Sequence, residues 1–256
     1  MLTTYNQPEF LELSLLAYDR QTYKNFEIVI ADDGSGPETR ELIENMKEAV
    51  SYPLTHTWQE DLGFRVARAF NNAIRASRND YLITSSCDCL PRADFVEKHV
   101  EFAREGYYVG GGHVRMSKAF TESLTPEMVK QGTYEKTLNS AALKKIKKRH
   151  FKHQIYQLLK RKRRPKFLGL NFAVHKKAAF EVNGFDENFQ GWGQEDSDFR
   201  ERLKKHGLKP RSILPQAVVF HMYHPSHPTA VERLNRAYYR RKNLEARCKN
   251  GLQKLN

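Results

Sequence analysis

The sequence predicts an α/β fold, a mostly parallel central sheet flanked by helices. Three observations carry this. Through the first 112 residues, short apolar runs alternate with helical patterns, as parallel strands joined by crossover helices do. The strand-like runs lead into polar turns at Thr4–Asn6, Asp32–Ser35 and Ser86–Asp88. Ligands bind beyond the carboxyl ends of such strands, so these turns are expected to share one crevice. A chain of 256 residues, 39% hydrophobic with 27 Phe and Tyr, can bury a sizeable core and is not disordered throughout.

The elements follow in order. Leu2–Thr4 is a short apolar start, and Pro8–Arg20 carries Leu11, Leu15 and Tyr18 at helical spacing with Asn6 as its cap. Glu27–Ala31 reads as a buried strand, 32–36 as a turn and Pro37–Met46 as a helix. Leu54–Trp58 is a further strand, and Gly63–Ser77 sets Val66, Phe70, Ala73 and Ile74 on one helical face. Tyr81–Ser85 is a strand, Cys87–Pro91 a loop, Arg92–Glu105 a helix and Tyr107–Gly111 a strand. From His113 to Lys166 the alternation stops, and the segment reads as basic and helical. Phe167–Val174 resumes as a strand and Lys176–Val182 as a short helix. A loop rich in Gly and aromatics then leads to a helix from Asp196 to His206 that ends at Gly207. Ala217–Phe220 is the last strand.

The net charge of +13 is unevenly spread. Residues 144–166 hold 12 Lys and Arg and no acid, and 231–256 carry a net +6, which leaves −5 on the other 207 residues. A mildly acidic body with two cationic segments favours a local anionic contact over a nucleic-acid coat. Those segments lack an aromatic-rich strand signature or zinc-finger spacing, so no nucleic-acid partner is expected. No apolar run approaches the ~20 residues that span a bilayer, and no signal peptide opens the chain. Of three cysteines, Cys87 and Cys89 are too close for a framework disulfide, which points to a reducing compartment.

Four constellations can carry chemistry, each beside a plainer reading. Asp32-Asp33-Gly34-Ser35 can accept hydrogen bonds from a base or ribose, or can simply cap a turn. Asp88 can hold a divalent ion on a diphosphate, or cap the helix that follows. In Gly191-Trp192-Gly193-Gln194-Glu195-Asp196 the glycines free the backbone to lay an indole on a ligand, with two acids at a helix start. The alternative is a core aromatic followed by acids that favour the helix dipole. His221 and His224, with His227 nearby, follow the last strand and are metal ligands or structural histidines.

Thr3-Thr4-Tyr5-Asn6-Gln7-Pro8, then Gln21-Thr22-Tyr23, then Phe26 through Ser35, closely resembles the opening of family 2 glycosyltransferases. Asn183-Gly184-Phe185-Asp186 through Asp196 resembles the C-terminal region of β-1,4-galactosyltransferases. The two resemblances cover 1–112 and 167–225 and imply the nucleotide-sugar-binding GT-A fold. They imply one catalytic domain over 1–225: a nucleotide-sugar half (1–112), a basic helical insertion (113–166) and an acceptor half (167–225). A basic helical tail (226–256) follows.

Residue by residue, the resemblance implies that Thr3, Tyr5 and Asp33 hold uracil and that Arg65 and Arg68 contact the nucleotide. It implies that Asp88, His224 and His221 hold Mn2+ or Mg2+, with Ser86 replacing the first acid of the family's Asp-x-Asp. Trp192 and Gly193 would meet the acceptor, Glu195 a sugar hydroxyl, and Asp196 would be the catalytic base. The family's first strand begins several residues ahead of its Thr-x-Tyr-Asn, and only Met1 and Leu2 precede it here, which points to a truncated or misassigned start.

The activity implied is inverting, metal-dependent transfer of a hexose or N-acetylhexosamine from a UDP-sugar to a glycan or glycolipid. The setting implied is synthesis of bacterial surface polysaccharide or lipopolysaccharide. The expected location is cytoplasmic, peripheral on the inner face of the membrane, with 144–166 and the tail on an anionic surface. Leu143, Ile146, Ile155, Leu158 and Leu159 would add an apolar face. A catalytically degenerate GT-A module is the alternative raised by Ser86.

Overall fold

A computed structural model describes residues 1–161, 167–225, 235–241 and 243–255. Four strands near the N-terminus pair in parallel: β1 (Leu2–Thr4), β2 (Ile28–Asp32), β3 (Leu54–Trp58) and β4 (Tyr81–Ser86). The seven-stranded sheet has the order β3-β2-β1-β4-β8-β6-β9. Here β6 is Tyr107–Gly110, β8 is Phe172–His175 and β9 is Lys209–Ser212. β8 runs antiparallel to both neighbours, and β6 and β9 are parallel.

β2 shows why the sheet is central. All five of its residues are buried, as expected of a strand covered on both faces. Its side chains alternate: Ile28 and Ile30 enter the cluster of Leu11, Leu15 and Ile43, whereas Val29 and Ala31 enter that of Phe70, Ala73 and Ile74. The helices α1 (Pro8–Asp19), α2 (Pro37–Ala49) and α3 (Val66–Ala76) supply these faces. Pro8 and Pro37 each open a helix, where a missing N–H costs nothing. Asn6 does not cap α1: its φ is 48° and its Oδ1 accepts from Gly36 N across the crevice at 2.8 Å.

Three strands were not legible as strands. β5 (Cys89–Pro91) lies within the expected loop, β7 (Gly112–Arg115) opens the segment expected to be helical, and β9 follows Gly207. β5 and β7 flank β10 (Val218–His221) in a separate three-stranded sheet, β10 antiparallel to β5 and parallel to β7. Each has only three or four residues, too few to show an alternating pattern. The strand expected over Phe167–Val174 starts only at Phe172, after a 3₁₀ turn at Gly169–Asn171. α4 (Phe95–Glu101) is shorter than expected.

The helices α5 (Lys118–Glu122), α6 (Pro126–Gln131) and α7 (Ser140–Leu158) form the insertion. α7 turns Ile146 and His153 inward, and the His153 ring stacks on Phe167 at 4.5 Å. Ile146 therefore belongs to the core, not to an outer apolar face. Phe151, Leu158 and Leu159 are exposed among the lysines. Residues 162–166, 226–234 with His227, and Lys242 lie outside the described residues.

α8 (Lys176–Glu181) precedes α9 (Glu195–Lys205), which ends at Gly207 with φ 108°. The tail differs from the expected helix. Among its described residues only α10 (Arg236–Tyr239) is α-helical. Residues 243–255 run as an irregular strap. Asn183 binds it: Nδ2 donates to Cys248 O and Gln253 O, and Oδ1 accepts from Gln253 N, all at 2.8 Å. Side-chain capture of backbone groups here replaces the bonds a helix would have made.

Candidate active site

The carboxyl ends of β1, β2 and β4 meet as the strand order requires. Thr3 is in register with Ser86, Cys87 N donates to Thr3 O, and Asp33 N donates to Thr4 O. Asp88 lies two residues beyond the end of β4, and Met222 N donates to its carbonyl at 2.8 Å. Cys89 pairs with His221 across β5 and β10. The two sheets thereby bring Asp88, His221 and His224 together, with one ligand atom of each within 4.8 Å of the others.

Asp88 Oδ2 lies 3.0 Å from His224 Nε2 and 3.5 Å from His221 Nε2, while Oδ1 accepts from Cys89 Sγ. Burial works to raise the Asp88 pKa, but the two imidazoles and the Cys89 thiol outweigh it and hold the carboxyl below its usual range. Burial lowers His221, and the Asp88 carboxylate raises His224. Among the described residues, the buried His224 Nε2 lies within 3.0 Å of Asp88 Oδ2 without hydrogen-bond geometry. Two imidazole nitrogens beside one carboxylate oxygen are a donor set suited to a divalent cation.

At the nucleotide end, Asp32 and Asp33 part company. Asp32 is fully buried: Oδ1 accepts from Gly34 N and Ser35 N, and Oδ2 meets His56 at 2.9 Å. Its work is to fold the turn. Asp33 faces the loop after β3, accepting from Gln59 Nε2 at 2.6 Å and from Arg65 N at 2.8 Å. Burial pushes its pKa up to about 6. Tyr5 donates to Asp61 Oδ2 at 2.9 Å and is half exposed. Gly34, at φ 99°, lies so close to Asp61 that a Cβ would stand 2.6 Å from its Cα. Thr3 donates to Ser85 O. Thr3, Tyr5 and Asp33 thus sit at or just beyond the carboxyl ends of β1 and β2.

The glycine-rich loop is built to present Trp192, which is 45% exposed. Gly191, Gly193 and Gln194 all have positive φ. Gly191 N donates to Phe64 O, and the Asn235 amide donates to the carbonyls of both glycines at 3.0 and 2.9 Å. Glu195 and Asp196 then open α9. Asp196 Oδ2 accepts from Gly169 N at 3.0 Å and from Arg200 at 2.8 Å. Among the described residues Oδ1 has no donor. Gly169 O accepts from Thr84 on β4, which ties Asp196 to the strand carrying Ser86. Among the described residues, Glu195 Oε2 is buried without a hydrogen-bond partner. Burial, then the neighbouring Asp196 charge, holds Glu195 well above the usual carboxylate range.

α9 is held from beneath by a second set of charges. Arg202 and Asp198 are fully buried and pair at 2.6 Å, and Arg241 reaches Asp198 at 2.8 Å and Asp186 at 3.3 Å. The Tyr238 hydroxyl donates to Asp186. The 235–241 segment therefore braces the acceptor loop, and Asn235, Tyr238 and Arg241 had no signal in a segment legible only as basic. Gln59 and Asp61 were missed too, although Asp61-Leu62-Gly63 stood beside the predicted arginines. Arg65 reaches Asp33 through its backbone. The side chains of Arg65 and Arg68 line a groove on the outer flank of α3.

The family model described as glycosyl transferase family 2 matches residues 1–187, and the one described as N-terminal domain of galactosyltransferase matches 149–228. A chondroitin synthase of Escherichia coli is 25% identical over 247 residues, 91% of this chain and 36% of its own length. The first curated relatives are longer: the chain covers 36%, 51% and 48% of them. A mannosyltransferase from Pyrobaculum calidifontis, solved with GDP-Man and Mn2+, shares the fold with a TM-score of 0.63 at 19% identity. That match covers 93% of this chain and 60% of the other. S. aureus TarS 1–349 in complex with UDP matches with a TM-score of 0.58 at 14% identity, over 88% of this chain and 60% of that one.

Proposed function

The chain belongs to glycosyltransferase family 2, and from that premise we propose an inverting, metal-dependent transfer of a hexose or N-acetylhexosamine from a UDP-sugar to a glycan or glycolipid hydroxyl. The observation that carries this reading is the convergence of Asp88, His221 and His224 at the strand ends that also present Thr3 and Asp33. A degenerate fold has no need of such a ligand set, and it survives here although Ser86 replaces the first acid. Two imidazoles favour Mn2+ over Mg2+. A divalent cation supplies Lewis-acid neutralisation of the diphosphate leaving group.

The chain's own residues do the rest. Thr3, Tyr5, Asp33 and the Arg65 backbone frame the base. Trp192 stacks on the acceptor sugar, and Gly193 lets the loop approach it. Glu195 keeps its proton at neutral pH and donates to a sugar hydroxyl. Asp196 Oδ1 takes the acceptor proton as the hydroxyl attacks the anomeric carbon from the face opposite the diphosphate. That single displacement inverts the configuration. Residues 1–225 form the catalytic unit in this reading. UDP bound in one neighbouring structure supports uridine, and the polysaccharide synthase among the relatives supports a role in surface polysaccharide synthesis.

Incubation with a panel of UDP- and GDP-sugars, acceptor oligosaccharides and Mn2+ tests the reading. Release of UDP from one UDP-hexose or UDP-N-acetylhexosamine, with a β-linked product, is expected. Turnover confined to GDP-sugars, or retention of configuration, would refute it.

No helix among the described residues is long and apolar enough to cross a membrane. α7 offers an anionic membrane a different contact. Lys144, Lys148 and Lys152 are exposed on it with Phe151 and Leu158. Each such cation is worth about 1 kcal/mol at an anionic leaflet, and the exposed rings and leucines add burial. The protein is expected to co-sediment with phosphatidylglycerol vesicles and not with phosphatidylcholine vesicles. Equal binding to both would sink the electrostatic contact.

A further inference from the structure

We propose that the acceptor is an anionic glycan, bearing carboxylates or phosphates, and that its charged groups lie in the groove along the outer flank of α3. This rests on the transferase reading and adds the acceptor's chemical class.

The groove encloses about 470 Å³ and is lined by Arg65 at the N-cap of α3, by Arg68 and Arg75 within the helix, by Gln190 of the loop before Trp192, and by Lys254 of the strap. Positions 68, 72 and 75 recur at helical spacing, so one face of α3 presents the Arg68 and Arg75 guanidiniums, and Arg65 adds a third from the residue just before the helix. Four cations face one acid, Glu187. That acid is committed: Lys254 Nζ lies 2.6 Å from Oε2, and Asn71 donates to Oε1 at 2.9 Å. Arg75 donates to Asn72 and to Leu252 O. Among the described residues, the Arg65 and Arg68 guanidiniums have no acceptor. A guanidinium has five donors in a planar fork suited to carboxylate or phosphate, so two unused forks in one groove mark a site for anions.

The direction of the groove identifies which anion. From residue 65 to residue 75 a helix rises about 15 Å. Only Arg65 stands at the nucleotide end, where its backbone meets Asp33. Arg68 lies about one turn further and Arg75 about three turns from Arg65, too extended a set for one diphosphate. The far wall is the Glu187–Gln190 loop, and Gly191, pinned to Phe64, joins it to Trp192. A glycan stacked on Trp192 can therefore leave the catalytic end along these cations.

Binding of a labelled unsulfated chondroitin hexasaccharide, and of its carboxyl-reduced form, tests this at equilibrium with UDP and Mn2+ present, apart from turnover. Tighter binding of the carboxylate form is expected, weakening with salt. Arg68→Ala should weaken it about tenfold, as loss of a charge-assisted hydrogen bond does, and Arg68→Glu should weaken it further; unchanged UDP affinity in both assigns Arg68 to the acceptor in place of the nucleotide contact that the family resemblance implies. The Arg68 guanidinium has no partner among the described residues, so neither change should lower the melting temperature. Competition with inorganic phosphate and with acetate separates the two sources. Displacement by phosphate far below the effective acetate concentration assigns phosphate-bearing acceptors, and similar displacement by both assigns carboxylates. Equal binding of the two oligosaccharides, with no displacement by either anion, would overturn the proposal. So would a loss of UDP affinity in Arg68→Ala, since the groove would then serve the donor. Carboxylate-selective binding that persists without turnover of any nucleotide sugar would support the groove while refuting the transferase reading.

Discussion

Asp196→Asn is expected to lower transfer by about 10²–10⁴-fold, the span that general-base catalysis supplies, and to leave UDP binding unchanged. The geometry makes this substitution clean. Asp196 Oδ2 accepts from Gly169 N and Arg200, and an Asn carbonyl can accept from both. The loop and the start of α9 therefore stay in place. What is lost is the basicity of Oδ1, which has no donor among the described residues and faces the incoming hydroxyl in this account. Glu195 is a poor substitute, because burial, the larger cause of its raised pKa, remains when the Asp196 charge is removed. Steady-state transfer with calorimetric UDP binding decides it. Near wild-type transfer would place proton acceptance elsewhere.

Some of this arrangement was legible in the sequence and some was not, for identifiable reasons. β2 declared itself because Glu27–Ala31 is an apolar run bounded by a turn, and α3 because its apolar residues repeat at helical spacing. Trp192, Glu195 and Asp196 stood out because glycines flank the ring and acids follow. Asp88 and the histidines lie about 130 residues apart, and their meeting depends on the β5–β10 pairing. β5 spans three residues and hides inside an apparent loop. A short strand whose stability comes from tertiary pairing leaves little local pattern. Asn235 and Arg241 were obscured differently: a run of cations reads as a solvated face, but Arg241 spends its charge on Asp186 and Asp198. The α3 arginines were visible as residues, but the groove they line depends on Gln190 and Lys254, far along the chain.

The second large effect concerns the metal. Asp88, His221 and His224 supply donors that converge within 4.8 Å, and the diphosphate of a bound nucleotide supplies oxygens that favour a hard cation. Nucleotide affinity should therefore depend on the ion, and the ion on Asp88. Changing one residue that merely orients a ligand commonly costs 10–100-fold in metal affinity. Removing a ligand outright should cost at least about 100-fold on the same basis. His224→Ala should act in the same direction, and a variant with an unchanged melting temperature separates this from misfolding. Calorimetric titration of UDP into EDTA-dialysed protein, with and without added Mn2+, measures it directly. The account predicts binding that appears only with Mn2+ and is lost in Asp88→Ala. UDP binding of equal strength with and without the ion, or retained in Asp88→Ala, would contradict it.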